Sequence, residues 1–117
     1  MLCLIVDDDT AVRTFVRAIV RSEGYDTLEA GDGSHALELV RSLGGSVDLI
    51  ITDIQMPGGD GLTLASRVGA FFPAVRIILM SGYTDLADGF NFVAKPFSWA
   101  SMLSAVRRDL SPPLHAT

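Results

Sequence analysis

The stretch LIVDDDT, residues 4–10, joins an apolar run directly to three consecutive aspartates, and this junction is the starting point for predicting the fold. The apolar run begins at Leu2 and is continuous rather than alternating, which is typical of a strand buried on both faces. Three neighbouring carboxylates at the end of such a strand repel one another, and in a site of low dielectric constant they resist ionising together. If they lie close together in space, another group must therefore offset their charge.

The composition is that of one small globular domain. The chain has 117 residues, 49% of them hydrophobic, which is enough for one core and too little for two domains. Its net charge of −5 argues against unaided binding to nucleic acid or to an anionic membrane. The one cysteine, Cys3, has no partner for an internal disulfide, and no apolar stretch is long enough to span a bilayer. The sequence therefore predicts a cytoplasmic domain without membrane insertion.

Strand patterns alternate with helical patterns along the chain. Continuous apolar runs lie at Leu2–Val6, Val47–Thr52 and Val75–Met80, and weaker or shorter strand patterns lie at Tyr25–Glu29 and Asn91–Ala94. Strands that alternate with helices predict right-handed βαβ units and a parallel sheet. The continuous runs are expected in the centre and the other two strands at the edges. This gives the order 2-1-3-4-5 of a doubly wound, flavodoxin-like α/β fold.

Helical periodicity is predicted in four segments. The helices are expected after Asp9, from Ser34 to Leu43, from Gly61 to Phe72, and after Ser98. Asp9 and Ser98 are expected to cap the helices that follow them, and Asp60 to act as a cap or turn residue. Phe15 is placed on the inward face of the first helix, and Trp99 on the inner side of the last helix, where it packs either in the core or at the surface.

The chemically capable side chains follow the strands at one edge of the predicted sheet. The first strand ends at Asp7 and Asp8, the third at Asp53, the fourth at Ser81 and the fifth at Lys95, the only lysine of the chain. Doubly wound sheets bind ligands outside the carboxyl ends of their strands. Convergent carboxylates suit a hard divalent cation such as Mg²⁺, which would offset their repulsion. A lysine and a hydroxyl beside them suit a phosphoryl group.

Four segments, in order along the chain, resemble the receiver domain of response regulators, the phosphorylation module of two-component signalling. The segments are LIVDDD, DLIITDIQMPGGDGL, ILMSGY and FVAKPFS, and the resemblance covers residues 2–110. The site residues that it implies are the phosphoacceptor Asp53, the metal-binding pair Asp7 and Asp8 with the backbone carbonyl of Gln55, the switch hydroxyl of Ser81, the phosphate-pairing Lys95, and Phe92 at the position of the switch aromatic.

The resemblance also implies a cofactor, a chemistry and a class of partner. The cofactor is Mg²⁺, with Mn²⁺ as a substitute. The partner is a histidine kinase or a histidine phosphotransfer protein that supplies the phosphoryl group. The domain is then no enzyme in the usual sense, since it is limited to self-phosphorylation from small phosphodonors and autodephosphorylation. The Lys95–Pro96 peptide bond is implied to be cis.

The sequence departs from the family between Ser81 and Lys95. Thirteen residues separate them, whereas the family usually fits a complete helix there and a parallel crossover needs about a dozen residues or more. A shortened fourth helix is therefore predicted in residues 82–90, as in receivers attached to hybrid histidine kinases. This reduces a face on which receivers commonly dimerise, so a monomer is expected. The receiver domain is predicted to comprise residues 1–111, and residues 112–117 to form a flexible tail or linker.

Two alternatives remain open. A phosphatase of the haloacid-dehalogenase type also uses an aspartyl phosphate and Mg²⁺, with a second aspartate two residues after its nucleophile, here Asp7 and Asp9. Ala11 stands where that signature has threonine or valine, and the chain lacks room for the usual cap. The second alternative is a degenerate receiver that acts only as a protein-interaction module, which the full set of site residues disfavours.

Overall fold

Strands and helices alternate through the described part of the chain, which in this computed structural model is residues 1–56, 60–82 and 91–110. In chain order, the elements are β1 (Leu2–Val6), α1 (Thr10–Ser22), β2 (Asp26–Ala30), α2 (Gly33–Ser42), β3 (Leu49–Asp53), α3 (Gly61–Phe71), β4 (Arg76–Ser81), β5 (Asn91–Ala94) and α4 (Trp99–Leu110). Of the helices described, none has both the length and the apolar character needed to cross a bilayer.

The five strands form one parallel sheet in the order β2-β1-β3-β4-β5. The predicted flavodoxin-like order is confirmed, with the weaker strand patterns β2 and β5 at the edges. The register pairs Val6 with Thr52, Asp53 with Met80, and Ser81 with Ala94. The carboxyl ends of β1, β3, β4 and β5 therefore meet at one edge of the sheet.

Both faces of the sheet are covered, which explains why the central strands are continuous apolar runs. Leu4, Ile50 and Leu79 lie in a core with residues of α2 and α3. Their neighbours Ile5 and Ile51 lie in a second core with residues of α1 and α4. Successive side chains of a strand point to opposite faces, so a strand buried on both faces needs apolar residues at every position.

Short polar side chains begin the helices, largely as predicted. The Asp9 carboxylate accepts from the Ala11 N–H at 2.8 Å, and the Ser98 hydroxyl accepts from the backbone N–H of Ser101 at 3.0 Å. Asp60 caps α3 in the same way. Asp32 caps α2, a role that the sequence analysis does not assign. Each cap satisfies a backbone N–H that has no partner within the first turn of its helix.

The prediction that Phe15 faces inward is wrong, and of the two alternatives for Trp99 the structure has the packing at the surface. Their exposed fractions are 39% and 42%, and their rings meet edge to face at the surface with centroids 6.0 Å apart. Phe15 also stacks on Phe97, with centroids 5.8 Å apart. Helical periodicity shows which face of a helix is apolar, but not how much of that face the sheet buries. The two rings lie at the margin of the apolar face, beyond the part that is buried.

Two predicted features fall outside the described residues. The shortened fourth helix was predicted in residues 82–90, of which 83–90 are not described. The predicted tail, residues 112–117, also lies outside the described part of the chain. Both stay predictions.

Gly61 provides a test of how tightly α3 is joined to the end of β3. A Cβ atom at Gly61 would lie 2.1 Å from the backbone oxygen of Asp53, so the Gly61→Ala variant must shift the backbone there. We expect a loss of about 1–3 kcal/mol in the free energy of unfolding, measured by urea denaturation.

The matched control is Gly69→Ala on the same helix, where the added Cβ would meet no atom within 4 Å outside its chain neighbours and the backbone of its own helix. Alanine is the better helix former, so this variant should be more stable by about 0.5–1 kcal/mol. Equal effects of the two substitutions would contradict the close approach at Gly61.

Candidate phosphoacceptor and metal site

Three carboxylates converge at the carboxyl ends of β1 and β3. Asp7, Asp8 and Asp53 each offer one oxygen, and these oxygens all lie within 4.8 Å of one another. Asp7 is fully buried and Asp53 is 8% exposed, whereas Asp8 is exposed. The group therefore opens to solvent on one side. Clustered carboxylate oxygens are the ligands that a hard divalent cation prefers, and an open side leaves room for water or phosphate oxygens.

Lys95 supplies the opposite charge to this cluster. Its Nζ atom lies 2.8 Å from Oδ2 of Asp7 and 3.3 Å from Oδ2 of Asp53. Burial by itself lowers the pKa of Lys95, but the hydrogen bonds and charges of the two carboxylates outweigh burial and raise that pKa above its ordinary value. Lys95 is therefore a cation that partly offsets the repulsion expected from consecutive aspartates.

The pKa of Asp53 is raised even beside this lysine. Burial is the largest cause, and the negative charge of Asp7 adds to it. Lys95 and a hydrogen bond from the Gln55 backbone N–H act in the opposite direction without cancelling the shift. The ionised carboxylate of Asp53 is thus less well stabilised here than in water, and further positive charge at the site would favour it.

Asp7 and Asp8 are held in very different ways. The Asp7 side chain accepts from Lys95 and from the Asp9 N–H at 2.9 Å, and its backbone N–H donates to the Ala30 carbonyl at 3.2 Å. Asp8 is exposed, and within the described residues no hydrogen bond fixes its carboxylate. The sequence presents the two as an equivalent pair, but the structure makes one rigid and leaves the other open.

The remaining predicted residues lie on or shortly after β3, β4 and β5. Ser81 ends β4 and is 2% exposed, and its carbonyl accepts from the Lys95 N–H at 2.7 Å. Gln55 is exposed two residues after Asp53. Phe92 is half-buried, pairs with Leu79 and packs on the core that includes α2 and α3. The Lys95–Pro96 bond is cis, as the resemblance implies.

One contact at this edge has no counterpart in the sequence analysis. Arg13, which lies on the polar face of α1, donates from Nη1 to the backbone carbonyl of Asp7 at 2.6 Å. The available signal was the spacing of Arg13, Arg17 and Arg21 along one face of α1. Such a face can reach the acidic Glu29 of the neighbouring edge strand. No pattern in the sequence predicts the contact of Arg13 with a main-chain carbonyl.

The chain matches one family model and several known proteins. The model, described as response regulator receiver domain, matches residues 3–107. The sensor kinase CckA of Brucella abortus is 36% identical over 92% of this chain and 12% of its own length. Sporulation initiation phosphotransferase F of Bacillus subtilis is 30% identical over 92% of this chain and 91% of its own length. The chain therefore spans a small part of the first relative and nearly all of the second.

Solved structures agree with these matches. The receiver domain from the hybrid histidine kinase CckA superposes with a TM-score of 0.83 and 33% identity, over 95% of this chain and 100% of that one. The chemotaxis response regulator CheY4 of Vibrio cholerae gives a TM-score of 0.80 and 26% identity, over 93% of this chain and 98% of that one. The likeness to hybrid-kinase receivers predicted from the sequence is thus found in both sequence and structure.

The unequal support of the first two aspartates predicts unequal effects on stability. Without metal, the Asp7→Ala variant should lose about 1–3 kcal/mol in the free energy of unfolding, because Lys95 and the Asp9 N–H lose a buried acceptor. Asp8→Ala should change it by less than about 0.5 kcal/mol, as is usual for exposed residues. Urea denaturation in EDTA measures both, and similar losses in both variants would contradict the asymmetry.

The raised pKa of Asp53 predicts how stability depends on pH. An acid whose pKa is higher in the folded state than its usual 3.8 costs stability once pH rises through the folded value. In metal-free buffer at pH 7, Asp53→Asn should therefore melt at a higher temperature than the wild type. This advantage should shrink as the pH falls towards the ordinary aspartate value of 3.8, because a raised pKa lets the folded state take up the proton of Asp53 before the unfolded chain does. A wild type that melts higher at pH 7 would contradict the assignment.

Proposed function

The chain belongs to the response regulator receiver domain family of two-component signalling, and from this premise we propose that Asp53 accepts the phosphoryl group. The observation that carries the proposal is the position of the Asp53 carboxylate, 3.3 Å from Lys95 and within one cluster with Asp7 and Asp8. A carboxylate of this kind is a nucleophile, while the lysine beside it offers positive charge to phosphoryl oxygens.

The proposed cofactor is Mg²⁺, with Mn²⁺ as a substitute. The chemistry of the donor set fits it, because three carboxylate oxygens lie within 4.8 Å of one another and one side of the cluster is open. Asp7, Asp8, Asp53 and the backbone carbonyl of Gln55 would hold the ion. When bound, it neutralises negative charge on the phosphoryl oxygens and on the carboxylates around them.

The reaction proposed for Asp53 is a phosphoryl transfer. A carboxylate oxygen of Asp53 forms a bond to phosphorus in line with the breaking bond to a phosphohistidine nitrogen, and the imidazole leaves with its electron pair. During the transfer, the ammonium group of Lys95 shifts its ion pair from the carboxylates to the phosphoryl oxygens, where negative charge increases. Water later attacks the acyl phosphate and returns Asp53 and inorganic phosphate.

The proposed output is a change of conformation. The hydroxyl of Ser81 donates a hydrogen bond to a phosphoryl oxygen, which requires this buried residue to move towards Asp53. Because the Ser81 carbonyl is bonded to the Lys95 N–H, such a movement is transmitted to the end of β5. Phe92, on that strand and only half-buried, is the proposed switch aromatic. The conformations differ by little free energy, and phosphorylation shifts their populations.

The proposed partner is a histidine kinase or a histidine phosphotransfer protein, a class that includes the sensor kinase among the relatives. The proposed receiver domain is residues 1–111, with 112–117 as a tail or linker. We further propose a cytoplasmic monomer without nucleic-acid binding of its own. As a receiver it is a signalling module, and its own chemistry is limited to self-phosphorylation and hydrolysis.

The phosphatase alternative requires Asp7 as nucleophile and Asp9 as the second catalytic acid. Asp7 is fully buried and bonded to Lys95, and Asp9 caps α1 through its side chain. The complete burial of Asp7 and the capping bond of Asp9 favour the receiver over this alternative.

Labelling by acetyl phosphate tests the proposal. With Mg²⁺, the wild type should gain one phosphoryl group that is lost at alkaline pH, measured by intact-protein mass spectrometry. Asp53→Asn should gain none, because an amide is no nucleophile for this transfer. The matched control is Asp60→Asn, which makes the same change of acid to amide at the start of α3. Asparagine is also a good capping residue, so this variant should label like the wild type.

Three outcomes would overturn the assignment. Full labelling of Asp53→Asn would place the acceptor elsewhere. Absence of labelling in the wild type would favour the degenerate receiver that acts only as an interaction module. Labelling unaffected by EDTA would remove the metal from the mechanism.

A further inference from the structure

Arg13 ties three elements together beside the acidic cluster. Its Nη1 atom donates to the Asp7 carbonyl at 2.6 Å, its Nε atom to the Glu29 carboxylate at 3.1 Å, and its Nη2 atom to the Thr10 hydroxyl at 3.2 Å. One guanidinium group thus joins the end of β1, the start of α1 and the edge strand β2. Its side chain is 19% exposed, so these bonds are partly shielded from water.

The bond to Asp7 fixes the peptide group that leads into Asp8. The backbone N–H of Asp7 is already held by the Ala30 carbonyl, so Arg13 restrains the residue from its other side. A peptide group is planar, and fixing its carbonyl therefore fixes the direction of the following N–Cα bond. Since no side-chain hydrogen bond holds Asp8 within the described residues, the position of its carboxylate depends on this backbone.

Among cationic side chains, only the planar guanidinium group of arginine, with its several donor nitrogens, suits this set of partners. The guanidinium group is planar and presents several N–H donors in fixed directions, so one group can serve a carbonyl, a carboxylate and a hydroxyl together. Glu29 also accepts from Arg17 at 2.8 Å, so its two oxygens serve two guanidinium groups, each through a bond of its own. A lysine donates all of its hydrogen bonds from one nitrogen atom, so it cannot reach three partners that lie on different sides of a guanidinium group.

We propose that Arg13 is a positioning residue for the metal site, acting through the Asp7 carbonyl to hold Asp8 at the distance that the cation requires. This inference rests on the proposed function, in which Asp7, Asp8 and Asp53 bind Mg²⁺. Arg13 itself touches neither the cation nor the phosphoryl group. Groups that orient metal ligands in this way commonly change metal affinity by about 10–100-fold when they are removed.

Electrostatics alone predicts the opposite sign. A guanidinium near a divalent cation repels it, so removing the charge of Arg13 would tighten Mg²⁺ binding if charge were its only influence. A positioning role predicts that the same substitution weakens binding. The direction of the change therefore separates the two explanations.

The test is calorimetric titration of the unphosphorylated full chain with MgCl₂. Arg13→Gln should raise the dissociation constant by about tenfold. Arg13→Lys, which keeps the charge but has one donor nitrogen in place of three, should fall between Arg13→Gln and the wild type. The matched control is Arg17→Gln, which removes an equal charge bound to the same Glu29 but leaves the Asp7 carbonyl bond intact. It should stay within about twofold of the wild type, since Arg17 bonds Glu29 through a different oxygen and the Asp7 carbonyl keeps its bond to Arg13.

Thermal unfolding in EDTA shows which variants are folded. If Arg13→Gln is not, Arg13→Lys decides: weaker binding supports the inference and unchanged binding overturns it. Unchanged or tighter binding by a folded Arg13→Gln also overturns it, as does an equal loss in Arg17→Gln. In all these outcomes the wild type binds Mg²⁺ and the proposed function stands. A wild type that does not bind Mg²⁺ overturns both.

Discussion

The ammonium group of Lys95, held between Asp7 and Asp53, is the interaction on which the arrangement of the site depends. It joins Lys95 to an aspartate 88 positions earlier in the chain. The contact therefore exists only when β1, β3, β4 and β5 are in their observed order with their carboxyl ends aligned. Because the Lys95 N–H also bonds the Ser81 carbonyl, the lysine belongs to the sheet as well as to the site. The fold and the charge pattern thus support each other.

The charges at this edge are only partly balanced. Three carboxylates face one ammonium group, and the pKa of Asp53 stays raised by burial in spite of Lys95. The folded protein therefore holds an excess of negative charge at a site with one open side. The proposed divalent cation would remove this excess and at the same time prepare the site for the further negative charge of a phosphoryl group. Ion binding and phosphorylation would then be coupled through the same few oxygens.

The sequence was sufficient to predict the strand order and the edge at which the functional residues meet. Both follow from coarse signals, namely continuous apolar runs and the polar residue that ends each run. It was not sufficient for Phe15 and Trp99, because the periodicity of a helix does not show how far the sheet extends beneath it. Nor did it reveal that Lys95 bridges two carboxylates, since that contact depends on distances across three neighbouring strands. Contacts of side chains with main-chain atoms were the hardest to predict from the sequence.

Those main-chain contacts explain how a partly exposed site keeps its geometry. Asp7 is held by its side chain, but Asp8 has only the backbone to place it, and the end of β3 is confined by the close approach of Gly61 to the Asp53 carbonyl. Arg13 acts on the backbone at the end of β1 as Gly61 does at the end of β3. Within the described residues no side-chain hydrogen bond holds the Asp8 carboxylate, so this group is free to turn towards water or a cation. Restraint on the backbone allows this freedom while the distances between the ligands stay fixed.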